Sequence, residues 1–228
     1  MNDYMKIGES RLLTTDVNLK FWEDVFIGPS ISKTGAWEIP VTQYIIGAIL
    51  TISDWTRGDF TFLDMGAHVG YYSSLASYYM PKGQVHAFEP NTNNLELLRK
   101  NVKRFPNCVV HPYALDTEEK KADFWYPEDE SGGGSLYYDS IVKKEGLTKC
   151  EVETKKITSF GIDFSKVGII KLDIQGKEPE IIKELTKTNL RSSAVVVIEA
   201  AEENMKALAE NNFRTFATIG NSVVANKL

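Results

Sequence analysis

Cysteine is nearly absent from this chain. Cys108 and Cys150 are the only two in 228 residues, which is too few for a disulfide framework and offers no metal spacing, so they read as reduced thiols of a cytoplasmic protein. Histidine is as scarce. His68, His86 and His111 include no pair at metal-ligand spacing, and no metal site is assigned. Hydrophobic runs are short, the best being Tyr44 to Leu50, against the ~20 apolar residues of a membrane-spanning helix. The opening stretch MNDYMKIGES lacks the apolar core of a signal peptide. Basic excess is missing too. Lys and Arg number 26 against 31 Asp and Glu, a net charge of -5, whereas a protein that clamps phosphate backbones needs concentrated cations. Neither membrane nor nucleic acid is therefore expected as a partner. No internal repeat or low-complexity tract appears.

What is present suits a globular domain: 43% hydrophobic and 25% charged residues, with length enough for a three-layer core. The informative stretch is Thr61 to Gly70, an apolar run entering a glycine-punctuated turn, followed by Val85 to Phe88 ending at Glu89-Pro90. Glu89 lies nineteen residues beyond Gly70. That is close to the ~20-residue offset at which a βαβ unit presents an acid to the ribose hydroxyls of a nucleotide. Gly66 and Gly70 permit close backbone approach, and a helix start offers free N–H groups. Dinucleotide folds want GxGxxG. Here the turn reads Gly66-Ala67-His68-Val69-Gly70, with Asp64 just ahead of it. A carboxylate there repels pyrophosphate and attracts a cation. S-adenosylmethionine, with a sulfonium and an ammonium and no phosphate, fits that charge logic better than NAD.

The remaining pattern alternates strands and helices. Helical spacing marks Val41 to Ile52, Tyr71 to Met80, a helix capped within Asn91–Asn93 and facing inward at Leu95, Leu98, Val102 and Phe105, a helix with Pro179 in its first turn, and Glu202 to Asn211. Strands are expected at Phe60–Met65, Gln84–Phe88, Val109–Tyr113, Ala122–Tyr126, Ile169–Leu172 and Val195–Ile198. A closing hairpin joins Phe213–Ile219 to Val223–Ala225 through Gly220-Asn221. The fold class expected is α/β, a three-layer Rossmann-like fold with a mostly parallel sheet and a terminal antiparallel hairpin. Residues 1–36 read as an N-terminal extension, irregular or β, with β-like pieces around Leu12-Leu13 and Phe21 to Ile27 broken at Gly28-Pro29 and Gly35. It is either a cap on the site or a surface for homo-oligomer formation. Residues 37–228 form the cofactor-binding domain. Asp64, Glu89, Asp173 and Glu199 all fall at carboxyl ends of strands, where open α/β sheets bind ligands.

The blocks FLDMGAHVGYYSSLA, VHAFEPNTNNLELLRKNV, IIKLDIQGKEPEII and VVVIEAA resemble the FkbM family of S-adenosylmethionine-dependent methyltransferases, in consistent order over roughly residues 35 to 200. The resemblance implies the class I methyltransferase fold and methyl transfer to a hydroxyl of a sugar, glycan or other small natural-product acceptor. It places contacts to the adenine at Ala114, Leu115 and Asp116, and suggests that Glu38 reaches the amino group of the cofactor. Asp64 and Asp173 then flank its methionine end. Glu89 with Pro90 takes the ribose, and Ala67 and His68 lie in the cofactor turn. Catalytic candidates are Asp173, Gln175, Glu178 and Glu199. Glu178 either serves as a base or complements a helix amino terminus, and Glu199 either completes the acceptor side or pairs with Lys171. Trp125, Tyr126, Tyr137 and Tyr138 flank Gly132-Gly133-Gly134, a pattern that suits either a sugar-stacking lid or a plain solvent loop. Two other readings stand beside the methyltransferase: a nicotinamide-dependent oxidoreductase, and a cofactor-binding module without catalysis. The Asn/Asp-Pro-Pro-aromatic signature of amide and nucleobase methylases is missing after Leu172.

Overall fold

A computed structural model of the chain describes residues 4–7, 10–13, 27–34, 36–127, 132–141 and 146–228. At the amino-terminal side, strands β1 (Tyr4–Ile7) and β2 (Ser10–Leu13) pair antiparallel. Of the second β-like piece, Phe21 to Ile27, residues 21–26 lie outside the described residues, as does Gly35. Gly28-Pro29 marks a change of element after Ile27. Both residues begin helix α1 (Gly28–Thr34), because a proline in a first turn gives up only an N–H that has no helical acceptor anyway.

Helix α2 (Ile39–Thr56) buries Val41, Ile45, Ile46, Ile49 and Ile52, a stripe at helical period. Strand β3 (Thr61–Met65) is buried at all five positions, as a central strand covered on both faces must be. There follow α3 (Tyr71–Tyr79), β4 (Gln84–Phe88), α4 (Thr92–Val102) and β5 (Cys108–His111). Asn91 caps α4, its side chain accepting from the Asn93 N–H at 3.0 Å. After β6 (Ala114–Leu115), β7 (Lys121–Pro127) and β8 (Leu147–Lys155) form an antiparallel ribbon, and β6 adds to β8 in parallel. The core resumes with β9 (Val167–Leu172), α5 (Glu178–Thr186), β10 (Val195–Glu199), α6 (Glu202–Glu210), β11 (Phe213–Ile219) and β12 (Ser222–Lys227).

The main sheet has seven strands in the order β11-β12-β10-β9-β3-β4-β5. β10, β9, β3, β4 and β5 pair in parallel, and β12 runs antiparallel between β10 and β11. This is the α/β architecture the alternation implied, closing hairpin included. Successive residues of a strand face opposite sides, so Phe62 joins the core under α2 to α4, while Leu63 and Met65 join the core under α5 and α6. The ribbon partner β8 and the short β6 were not anticipated. β8 is LTKCEVETK, whose outward charges pair across to β7 (Lys149 with Asp123 at 2.5 Å, Lys121 with Glu151 at 2.6 Å) and mask its apolar face. No helix among the described residues is long and apolar enough to cross a membrane.

Candidate active site

Parallel pairing brings the carboxyl ends of β3, β4, β9 and β10 to one edge, where backbone hydrogen bonds lace them together. The Gly66 and Ala67 N–H groups donate to the Phe88 carbonyl at 3.1 and 2.8 Å, and the Asp173 N–H donates to the Met65 carbonyl at 2.9 Å. The turn after β3 is left-handed at Gly66 (φ 87°), His68 (φ 52°) and Gly70 (φ 83°). The clearance the two glycines supply goes to protein atoms. A Cβ on Gly66 would stand 1.8 Å from the Asp173 carbonyl oxygen, and one on Gly70 would stand 2.5 Å from Leu98 Cδ1. The expected reason for them, room for a ligand, is thus replaced at Gly70 by helix packing. Gly66 both packs against Asp173 and borders the clefts described next.

Two clefts open at this edge. The first, of about 560 Å³, is largely apolar: Phe88, Pro90, Tyr113, Ala114, Leu115, Phe124 and Leu136 surround Glu89 and Asn94. The second, of about 1010 Å³, is polar, with Glu38, Tyr72, Lys171, Asp173, Glu199 and Ser222 on its walls beside Trp37 and Ala67. Gly66, His68, Gly132, Asp173 and Gln175 border both, so the clefts meet across the cofactor turn. The structure therefore gathers Glu38, Gly66, Ala67, His68, Glu89, Pro90, Ala114, Leu115, Asp173, Gln175 and Glu199 around one space. Four candidates lie off its walls: Asp64, Gly70, Asp116 and Glu178. Of the aromatics flanking the glycine run, Trp125, Tyr126, Tyr137 and Tyr138 are likewise off the walls, and Phe124 and Leu136 face the first cleft instead.

Each acid has its own surroundings. Asp64 lies under the turn, 1% exposed. Ser73 Oγ donates to its Oδ2 at 2.5 Å, while the buried Oδ1 has no hydrogen-bond partner. Burial raises its pKa to about 6 against the pull of Ser73 and Lys171. Glu89 is a hub: Oε2 accepts from the His68 N–H at 2.9 Å, and Oε1 accepts from the Asn91 N–H at 2.9 Å and Asn94 Nδ2 at 3.3 Å. Burial still holds its pKa above the ordinary value.

Asp173 receives Lys171 Nζ at 2.8 Å on Oδ2 and Gln175 Nε2 at 2.7 Å on Oδ1. Burial alone would raise its pKa, but Lys171, Gln175 and His68 outweigh it and the carboxyl stays below the usual range. Burial opposes the charge on Lys171 in the same way and is overcome by Asp173, Glu38 and Asp64. Glu178 accepts from the Ile174 and Gly176 N–H groups, both at 2.7 Å, so it holds the β9–α5 turn together. Asp116 takes Lys177 Nζ at 3.2 Å and the Thr117 N–H at 2.7 Å. Glu38, left-handed at φ 41°, accepts from Tyr72 Oη at 2.9 Å.

Some contributors escaped the sequence reading. Asn94 sits in the first turn of α4, where attention to capping fell on its neighbours. Tyr72 meets Glu38 across thirty-four positions. Ser135, 1% exposed, donates from Oγ to the carbonyl of Gln175, itself left-handed at φ 58°. No short-range signal marks that link. His86 and His111, unpaired by sequence spacing, are brought to 2.9 Å between Nδ1 and Nε2 by the pairing of β4 with β5. Among the described residues, no three or more His, Cys, Asp or Glu are grouped to hold a metal ion.

Comparison with known proteins adds to this geometry. A hexuronic acid methyltransferase, AglP of Haloferax volcanii, is 25% identical over 136 residues, covering 60% of this chain and 54% of that protein. AmbE of Pseudomonas aeruginosa, an antimetabolite synthetase, is 21% identical over 229 residues, covering 82% of this chain and 11% of the larger protein. The chain thus spans about half the length of one relative and about a tenth of the other. Among solved structures, a precorrin-6y C5,15-methyltransferase from Geobacter metallireducens is 18% identical with a TM-score of 0.46, covering 73% of this chain and 78% of that one. The model of the methyltransferase FkbM domain matches residues 64–216, and the chain belongs to this family of S-adenosylmethionine-dependent methyltransferases.

Proposed function

We propose that this chain transfers a methyl group to a hydroxyl oxygen of a sugar, glycan or other small natural-product acceptor. The observation that carries the proposal is the pair of joined clefts, one apolar and one polar, meeting at Gly66, His68, Asp173 and Gln175. S-adenosylmethionine supplies an activated methyl on a sulfonium when bound. The residues present fit it. Phe88, Ala114, Leu115 and Phe124 form an apolar slot for a flat base beside Glu89, whose carboxylate is placed for ribose hydroxyls. Asp64, with a buried oxygen lacking a partner, and the surplus of carboxylates over Lys171 at the joint suit a ligand carrying two cationic groups. Asp116 supports this slot through Lys177, and Gly70 supports the turn by packing on α4.

The polar cleft receives the acceptor. Gln175, fixed to Asp173, presents its remaining amide oxygen to orient a hydroxyl. Holding two reactants in line is the main catalytic resource for such a displacement. The relative named for a hexuronic acid supports a sugar-like acceptor. Residues 37–228 form the working domain on this reading, and residues 1–36 an extension whose described helix α1 brings Ile27 to the rim of the acceptor cleft.

Calorimetric titration with S-adenosylhomocysteine, with NAD as control, tests the cofactor slot: micromolar binding of the first alone is expected, and binding of NAD alone would overturn the assignment. Mass spectrometry of neutral hexoses, hexosamines and hexuronic acids incubated with protein and methyl-labelled cofactor tests the acceptor class. Labelling of none of them would sink the sugar reading and favour a module that binds without turnover.

A further inference from the structure

We propose that Glu199 is the general base that takes the proton of the acceptor hydroxyl, an assignment that rests on the hydroxyl-methylation reading above. Three carboxylates line the polar cleft: Glu38, Asp173 and Glu199. Asp173 is committed at both oxygens, to Lys171 and Gln175. Glu38 has one oxygen, Oε2, taken by Tyr72 Oη, so Glu199 is the carboxylate of the three with both oxygens open. Glu178, the other acid of the β9–α5 block, spends both oxygens on backbone N–H groups and borders neither cleft. Among the described residues, no hydrogen bond or ion pair engages the Glu199 carboxylate. Lys171, its potential partner, is turned to Asp173 at 2.8 Å.

A base must keep a lone pair open toward substrate and must bind a proton strongly enough to be useful near neutral pH. Glu199 meets both conditions. Glu199 is exposed at the cleft, yet partial desolvation of its carboxyl, then the charges of Asp173 and Glu178, raise its affinity for a proton above that of an ordinary glutamate; Lys171 works against them and Glu203 with them. Its place at the end of β10 fixes it on a rigid element, anchored by the Asn204 side chain on the Glu199 carbonyl at 3.2 Å and by the Ala200 N–H on Asn221 at 2.7 Å. In the step, the acceptor oxygen forms its bond to the methyl carbon and the carbon–sulfur electron pair remains on sulfur. The hydroxyl proton passes to Glu199 and from there to solvent. Asp173, already an anion in a closed network, positions Gln175 and Lys171.

The test begins with carbon-13 NMR of protein labelled at the glutamate carboxyls, the Glu199 resonance being assigned by its absence in Glu199→Gln. A titration midpoint above the ordinary glutamate value of about 4.3, together with S-adenosylhomocysteine affinity in Glu199→Gln within about twofold of the parent, is expected. A midpoint at or below that value, or a tenfold loss of cofactor-product affinity, overturns the assignment. On a methylated acceptor, Glu199→Gln should lower kcat by roughly 10²–10⁴-fold and abolish the acid limb of the pH–rate profile. Retention of that limb overturns it too. Silence across the acceptor panel would count against the sugar reading, leaving the carboxyl titration to decide Glu199 on its own.

Discussion

Single residues at this edge hold the protein's own turns together while bordering the clefts proposed for the ligands. Glu89 accepts three N–H donors while bordering the apolar cleft, so Glu89→Ala should weaken S-adenosylhomocysteine binding by about 1–3 kcal/mol, the cost of leaving buried polar partners unmatched. Calorimetry on the folded variant checks this, and an unchanged dissociation constant would remove Glu89 from the cofactor slot. Gly66 combines a φ of 87° with a Cβ position 1.8 Å from the Asp173 carbonyl oxygen. Left-handed strain alone costs ~1–3 kcal/mol, and the overlap must in addition push β9 away from the turn. Gly66→Ala should therefore lose at least about 3 kcal/mol of stability in urea, and a variant as stable as the parent would mean the turn yields freely. Both residues were legible in the sequence because their signals are local: a glycine after an apolar run, and an acid ending the next one. The partners that give them meaning were not. Asn94 was hidden among potential caps, and the Asp173 carbonyl that demands Gly66 comes more than a hundred positions later.

At the scale of elements, legibility followed burial. β3 and β9 are covered on both faces and read as continuous apolar runs, and α2 showed its inward stripe plainly. β8 alternates charged residues with Cys150, Val152 and Thr154, a period-2 pattern whose inner face carries one strongly apolar residue, Val152, and the ribbon escaped notice although its partner was expected. The same ribbon decides which aromatics reach the site. Trp125 and Tyr138 meet edge to face at 5.3 Å, while Phe124 turns to the cleft and closes on Gly134, where a Cβ would come within 2.6 Å of its ring. Residues 132–141 are tied to the β9–α5 turn through Ser135, whose Oγ donates to the Gln175 carbonyl and accepts from the Tyr137 N–H at 2.9 Å. Ser135→Ala should cost ~1 kcal/mol of stability and speed amide exchange at Tyr137. Unaltered exchange there would show that the paired backbone hydrogen bonds between Trp125 and Ser135, at 2.9 and 2.8 Å, hold the segment by themselves.

Across the whole molecule, one buried and one half-buried titratable group act against each other as pH changes. Asp64 holds its proton more tightly folded than unfolded, with a pKa of about 6 against 3.8. Its contribution to stability is present at low pH and is lost as pH rises through about 6. His111 is the reverse. Burial and then the neighbouring His86 bring its pKa down from 6.5 to about 4, so its contribution is present above 6.5 and is lost as pH falls toward 4. Between pH 4 and 6 the two slopes partly cancel. Asp64→Asn removes one of them, and its stability relative to the parent should improve by about 3 kcal/mol between pH 3 and pH 7, at 1.36 kcal/mol per pKa unit. Urea unfolding at the two pH values measures this, and parallel curves would show that Asp64 titrates normally. A last consequence belongs to the wall that the two clefts share. Because the same five residues, Gly66, His68, Gly132, Asp173 and Gln175, meet whatever occupies either side, the two proposed ligands are thermodynamically linked. The factor by which the acceptor changes the dissociation constant of S-adenosylhomocysteine must equal the factor by which S-adenosylhomocysteine changes that of the acceptor.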